Sequence, residues 1–181
     1  MRYPSFVFVT VVLAFVNVAL NANAQQYRDC ASGLSNINSY VSSVESRVNG
    51  WQPSDGYGAA LKVHTTEQKL EDLIVETTST CDLGGQTSSS HADTILGEMD
   101  SLVPNIENAL RAVVQKKPAF DSVPLVTRLV TADVQSLFVK TYSLENKLLA
   151  AMPDSRKQEA TEYVNRINYA FSAAYHAYGL Y

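Results

Sequence analysis

The sequence has few of the residues on which catalytic and metal sites depend. It contains 3 histidines and 2 cysteines among 181 residues, and His64, His91 and His176 are far apart in the sequence. No His-Glu-x-x-His metal motif or Gly-x-Ser-x-Gly nucleophile elbow occurs, and no glycine-rich loop follows a strand pattern. We therefore predict that the protein is not an enzyme and has no catalytic residues, metal site or cofactor.

Positive charge is also scarce, with 14 basic against 18 acidic side chains. Nucleic acids and anionic membrane surfaces bind a basic face, so we expect neither as a partner. Glu67 and Glu71 lie one helical turn apart beside Lys69. On an amphipathic helix such carboxylates are typical of a solvated face rather than of an acid and base pair.

The only long apolar run is at the N-terminus. It extends from Phe6 to Leu20, follows Arg2, and is followed by the small-residue pattern of residues 22–24. This layout predicts a secretory signal peptide at residues 1–24; a membrane anchor is disfavoured because the run is short and contains Asn17. Residues 25–181 would then form one domain that is secreted and lies outside the cell or in a cell wall, without a transmembrane segment.

The two cysteines, Cys30 and Cys81, both lie in the predicted mature chain. Export exposes thiols to oxidising conditions, so we predict a single disulfide between them. A bridge that closes a loop of about 50 residues stabilises a fold by roughly 4 kcal/mol in the chain-entropy model.

Apolar residues recur at steps of three and four along five segments, and turn signals separate these segments. The predicted helices cover residues 34–48, 58–81, 92–117, 122–152 and a last segment from about residue 155 to 178. Short polar loops between amphipathic helices favour an all-α, five-helix bundle with one domain.

Three prolines interrupt the pattern between residues 101 and 126. Pro118 follows two lysines and is expected to mark a helix end, while Pro124 is expected in the first turn of the fourth helix with Ser122 as its cap. Pro104 falls inside the third helix, where it should cost roughly 3 kcal/mol and bend the helix. A bent helix in a bundle leaves space beside it.

Four segments carry a resemblance to a known family. They read LSNINSYVSSVESRVNGW, SDGYGAALKVHTTEQKLEDLIVETTSTC, ADTILGEMDSLVPNIENALRAVVQKKPAFDSV and VTADVQSLFVKTYSLENKLLAAMP, and a weaker match continues through RINYAFSAAYHAYG. The chain resembles the fungal hydrophobic surface-binding protein A family, which includes the antigenic cell-wall galactomannoproteins. Pro124 and the tyrosine-rich last helix depart from the family pattern.

The resemblance implies a small helical protein, secreted or held in the wall, without catalysis. Some members of the family adsorb to hydrophobic solids and recruit a secreted polyester hydrolase, while others hold a fatty acid in the cavity of a five-helix bundle. The partner implied is therefore a hydrophobic surface or a lipid. The alternative is a structural cell-wall mannoprotein or antigen whose apolar stripes are only core.

Apolar side chains that could meet around Pro104 are the candidates for a lipid cavity. They are Leu70, Ile74, Met99, Leu102, Val103, Ile106, Phe120, Leu129 and Leu137. Such stripes are also ordinary core in most soluble bundles. The sequence pattern does not identify a polar partner for a lipid carboxylate.

Adsorption to a solid would instead need exposed aromatic groups. Tyr169 and His176 lie seven residues apart on the polar face of the last helix, and Tyr181 follows at its end. A tyrosine ring with a polar tip suits a boundary between water and an apolar solid. These three residues are the predicted adsorption candidates.

Overall fold

The computed structural model describes the backbone of residues 6–180 and the side chains of residues 25–180. The side chains of the predicted signal peptide, residues 1–24, and the adsorption candidate Tyr181 lie outside the described residues. The helices are α1 (Phe6–Gly50), α2 (Gly56–Thr80), α3 (Ser89–Asp121), α4 (Val126–Ala151) and α5 (Asp154–Tyr178). A short 3-10 turn, Pro53–Asp55, precedes α2, and residues 6–180 contain no strand. The predicted all-α bundle of five helices is confirmed.

The five helices form a closed ring. Helix α1 packs against α2 and α3, α2 packs against α4, and α5 joins α4 to α3. Hydrogen bonds connect His64 to Asp133 and Glu71 to Lys140, so α2 and α4 run in the same direction. Each helix turns its apolar stripe toward the centre of the ring, as the spacing of its sequence predicts. No helix in the described part of the chain is both long and apolar enough to span a bilayer.

A disulfide and a close helix contact hold α1 and α2 together at one end of the ring. Cys30 and Cys81 are bonded, with their Cα atoms 4.8 Å apart, which confirms the predicted pair. Next to them Gly33 lies against Thr77, where a methyl group added to the glycine would meet the threonine hydroxyl oxygen at 2.5 Å. The absence of a side chain at Gly33 therefore allows the two helices to approach closely.

Trp51 closes the opposite end of the bundle. Its ring packs against that of Phe120 with centroids 5.0 Å apart, and its indole N–H donates to the carbonyl of Gly56. The ammonium of Lys116 donates to the carbonyl of Trp51 at 2.8 Å. The loop after α1 is thus tied to α2 and to the end of α3.

The predictions for Pro118 and Pro124 were wrong. Helix α3 continues through Pro118 to Asp121, because the burial of Phe120 against the core offsets the hydrogen bond that the proline removes. Pro124 lies before α4 rather than in its first turn. The hydroxyl of Ser122 donates back to the carbonyl of Ala119, so it finishes α3 and does not cap α4.

The residue before α4 has an unusual backbone. Among the described residues that are not glycine, Leu125 is the one with positive φ, at 72°. Its side chain is exposed to solvent, so burial does not compensate for this conformation. Pro104 lies within α3, as predicted from its position in the sequence, and the helix continues through it without a break.

Candidate functional site

A cavity of about 110 Å³ lies at the centre of the ring of helices. A space of roughly 10–15 Å³ admits one water molecule, so this cavity is much larger than an ordinary packing defect. All five helices contribute to its wall, which is almost entirely apolar. Such a wall favours a hydrocarbon ligand over a hydrated one.

All nine predicted cavity candidates lie in this wall, including Val103 and Ile106 on either side of Pro104. Whether they contact a lipid remains a prediction. The contribution of α1 was not predicted from the sequence, because its apolar stripe looks the same whether it faces a core or a cavity. The wall residues from this helix and the loop after it are Leu34, Ile37, Val41, Val44, Val48 and Trp51.

A polar cluster interrupts the apolar wall between α2 and α4. Nδ1 of His64 is hydrogen-bonded to Oδ1 of Asp133 at 2.8 Å and lies 3.7 Å from Oε2 of Glu67. All three residues line the cavity, and His64 and Asp133 are half-buried, so the cluster connects the interior with the surface. It is a candidate for the polar partner of a lipid carboxylate that the sequence pattern did not identify.

The expectation that Glu67 belongs to a solvated face was wrong, because only 3% of its surface is exposed. Burial, with further contributions from Glu71 and Asp133, raises the pKa of Glu67 to about 10, so its carboxyl is protonated at neutral pH. Oε1 of Glu67 is buried without a hydrogen-bond partner among the described residues, while the charge of neighbouring Glu71 is paired with Lys140 at 2.6 Å.

The pKa of Asp133 is also shifted by its surroundings. Burial raises the pKa of Asp133 to about 6, although the neighbouring His64 acts in the opposite direction. Oxygen and nitrogen atoms of His64, Glu67 and Asp133 lie within 4.8 Å of one another, a spacing that a metal ion would also accept.

A second polar side chain, Glu145 on α4, lines the cavity at a separate place. Only 3% of its surface is exposed, and its Oε2 accepts a hydrogen bond from Nδ2 of Asn168 at 3.2 Å. Burial raises the pKa of Glu145 to about 7. Its other oxygen, Oε1, is buried without a hydrogen-bond partner among the described residues.

A sequence signal for both buried carboxyls exists. Glu67 is in phase with Ala60, Leu70 and Ile74 on α2, and all four are buried. Glu145 likewise follows Leu144 and precedes Leu148 on the buried side of α4. A charged residue at an inward position of an otherwise apolar stripe indicates a buried polar group.

The adsorption candidates that the structure describes lie on the outside of α5. Tyr169 is 81% exposed, and His176 is also exposed. Two apolar side chains on α4, Val139 and Tyr142, are exposed as well and were not selected from the sequence. The surface thus offers apolar groups, and their role in adsorption stays a prediction.

The family model "Hydrophobic surface binding protein A" matches residues 28–150. This chain belongs to that family. The resemblance drawn from the sequence is therefore confirmed, and membership assigns the protein to a group that binds hydrophobic matter.

Solved structures of the same fold agree with this assignment. AFMP4P, solved in complex with palmitic acid, superposes with a TM-score of 0.79 at 26% identity, over 84% of this chain and 99% of that one. Ligand binding domain 1 of the Penicillium marneffei MP1 protein, complexed with arachidonic acids, gives a TM-score of 0.74 at 12% identity, over 86% and 98% of the two chains. At 12% identity, the similarity to the MP1 domain shows only that the two chains share a fold. No protein with a curated description matches significantly.

Proposed function

We propose that this member of the hydrophobic surface binding protein A family is a secreted, non-catalytic lipid carrier. A long hydrocarbon chain, as in a fatty acid, would lie in the cavity at the centre of the helix ring. The observation that carries the proposal is the apolar cavity of about 110 Å³, to which all five helices contribute. The palmitic acid bound to AFMP4P, a protein of the same fold, supports it.

The energetics favour a hydrocarbon in this space. Each methylene transferred from water to an apolar wall contributes roughly 0.8 kcal/mol before the costs of association. A cavity held open by a closed ring and a disulfide needs little reorganisation to accept the chain. A polar end group would lie at the cluster of His64, Glu67 and Asp133, where the cavity wall meets the surface.

The cellular location is part of the same proposal. The disulfide between Cys30 and Cys81 is typical of a protein folded outside the cytosol, and residues 1–24 have the composition of a secretory signal. We place the domain of residues 25–181 outside the cell or in a fungal cell wall. Cleavage after Ala24 is tested by N-terminal sequencing of the secreted protein.

The cavity is tested by filling it. Val103→Phe adds a ring at a fully buried wall position, and Val139→Phe makes the same change at a position on α4 that is 66% exposed. We expect Val103→Phe to weaken the displacement of a fluorescent fatty-acid analogue by palmitic acid at least about tenfold. Val139→Phe should bind as the wild type does.

Controls separate loss of binding from loss of folding. Circular dichroism and thermal unfolding show whether Val103→Phe retains the bundle, and Leu137→Phe offers a second, half-buried wall position. Native mass spectrometry of the secreted protein should show a co-purified lipid. Wild-type protein that carries no lipid and binds no analogue would overturn the carrier function and leave the apolar stripes as core of a structural wall protein.

A second function, adsorption to apolar solids, is favoured by the family and by the exposure of Tyr169. Polyester beads should deplete less of the Tyr169→Ser variant than of the wild type. Tyr163→Phe, which removes the hydroxyl of a half-buried tyrosine on the same helix and keeps its ring, serves as a control. A helical protein of similar charge measures nonspecific uptake. Recruitment of a secreted polyester hydrolase to coated beads would extend this function, and equal hydrolysis on coated and bare beads would contradict it.

A further inference from the structure

The carboxyl of Glu145 is a buried polar group in the wall of a cavity that is otherwise almost entirely apolar. Its neighbours on the same helix face, Leu144 and Leu148, are apolar, and Phe171 adds an aromatic ring to the wall. One of its oxygens accepts from Asn168, and the other is buried and unpaired among the described residues. A buried polar atom without a partner is destabilising, so a polar group in the ligand would relieve a real cost.

Oε1 of Glu67 is also buried without a hydrogen-bond partner among the described residues, but the surroundings of the two carboxyls differ. The carboxyl of Glu67 lies beside His64, Glu71 and Asp133, so several polar side chains surround it. Among the described side chains, Asn168 is the one that hydrogen-bonds to Glu145. The unpaired oxygen of Glu145 therefore has fewer polar neighbours than that of Glu67, and a polar group of a ligand could give it a partner.

The distance between the cluster at Asp133 and the carboxyl of Glu145 sets the length of such a ligand. Asp133 and Glu145 are 12 positions apart on the continuous helix α4, which corresponds to a rise of roughly 18 Å at 1.5 Å per residue. An extended chain advances roughly 1.2 Å per bond, as the reach of an extended backbone shows. About 15 bonds would therefore separate polar groups placed at the two positions.

We propose that the cavity takes a long-chain lipid with a polar group at each end, and that a hydroxyl at one end binds Glu145. The other end lies at the cluster formed by His64, Glu67 and Asp133. This inference rests on the proposed carrier function and specifies its ligand class as terminally hydroxylated acyl chains of about 16 carbons. A methyl-ended fatty acid would leave the Glu145 oxygen unpaired.

A hydroxyl suits Glu145 for a chemical reason. It has one donor and two acceptor sites, so it can donate to an ionised carboxylate or accept from a protonated carboxyl. A second buried group, the hydroxyl-bearing Thr141, lies one turn before Glu145 in the same wall. The two side chains together form a polar end to an otherwise apolar space.

The test compares ligands that differ only in the hydroxyl. Palmitic acid, 16-hydroxypalmitic acid and 8-hydroxypalmitic acid compete for a fluorescent fatty-acid probe on the full-length secreted protein. We expect the 16-hydroxy acid to bind about tenfold more tightly than palmitic acid, the factor that one net hydrogen bond provides. The 8-hydroxy acid should bind more weakly than either, because its hydroxyl meets the apolar middle of the wall.

A variant assigns the preference to Glu145. Glu145→Met keeps the length of the side chain and removes its polar atoms, so the preference for the 16-hydroxy acid should disappear while palmitic acid still binds. Glu159→Leu removes an exposed carboxyl on α5 and should keep the wild-type preference. If Glu145→Met does not fold, native mass spectrometry of wild-type protein with an equimolar mixture of the acids measures the preference directly.

The outcomes distinguish this inference from the carrier function. Equal binding of palmitic and 16-hydroxypalmitic acid by the wild type, or a preference that persists in Glu145→Met, would overturn the assignment of the hydroxyl to Glu145 and leave the carrier function intact. Failure of all three acids to bind would overturn the carrier function itself.

Discussion

Nδ1 of His64 lies 2.8 Å from Oδ1 of Asp133, across the contact between the parallel helices α2 and α4. Further along both helices the ammonium of Lys140 pairs with Glu71 at 2.6 Å. These two pairs fix the register of α2 against α4 and place Glu67 between them. The polar cluster is therefore structural as well as a candidate contact for a lipid end group.

A double-mutant cycle measures this pairing. His64→Ala, Asp133→Ala and the double variant are unfolded with urea at neutral pH. Because the hydrogen bond is partly buried and charge-assisted, we expect a coupling free energy of about 1–3 kcal/mol between the two residues. Additive effects of the two substitutions would show that the contact does not contribute.

The close approach of α1 and α2 gives a second prediction. In Gly33→Ala the new methyl group would lie 2.5 Å from the Thr77 hydroxyl oxygen, so the free energy of unfolding should fall by about 1–3 kcal/mol. Gly97→Ala on α3 is the matched control, since no atom lies within 4 Å of its added methyl group. That control should be neutral or should stabilise by up to about 1 kcal/mol through helix propensity.

The disulfide gives a third prediction. Replacement of Cys30 and Cys81 by alanine opens a loop of 51 residues and should lower the free energy of unfolding by about 4 kcal/mol. Urea unfolding under non-reducing conditions checks this value. A loss below about 1 kcal/mol would mean that packing alone holds the α1 and α2 ends together.

The buried carboxyl of Glu145 gives a pH-dependent prediction. Its pKa is raised from 4.5 to about 7 in the folded protein, so folding favours the protonated form. Its contribution to stability is fully present below pH 4.5 and is lost as the pH rises to about 7, by roughly 3 kcal/mol in total.

Glu145→Gln cannot ionise and should lack this part of the pH dependence. The difference between the unfolding free energies of wild type and variant, measured from pH 4 to 8, isolates it from the contributions of Glu67 and Asp133. The wild type should lose more stability than the variant on going to high pH. Parallel curves for the two proteins would contradict a raised pKa at Glu145.

Much of the fold follows from local sequence. The spacing of apolar residues such as Leu70 and Ile74 predicts which face of each helix turns inward, because a helix repeats every 3.6 residues. The family resemblance predicts the helical bundle, and the presence of two cysteines predicts its disulfide. Helix ends were less predictable, as at Pro118, because the packing of Phe120 offsets a missing backbone hydrogen bond.

The candidate site was only partly predictable, because it also depends on contacts between helices that are distant in the sequence. Inward-facing residues such as Met99 and Val103 were identified from their period, yet the period does not reveal whether the space between them is filled. Glu67 was assigned to the solvated face because its neighbours Lys69 and Glu71 are charged. Its burial depends on Asp133 and Lys140, which are remote in the sequence.

The sequence by itself determined that this protein is helical, carries one disulfide and belongs with proteins that bind hydrophobic matter, because these properties depend on composition, period and resemblance. The tertiary structure decided that the five stripes close around a cavity and that one oxygen of Glu145 stands unpaired in its wall among the described residues. Those features depend on distances between helices, and a one-dimensional pattern does not contain such distances.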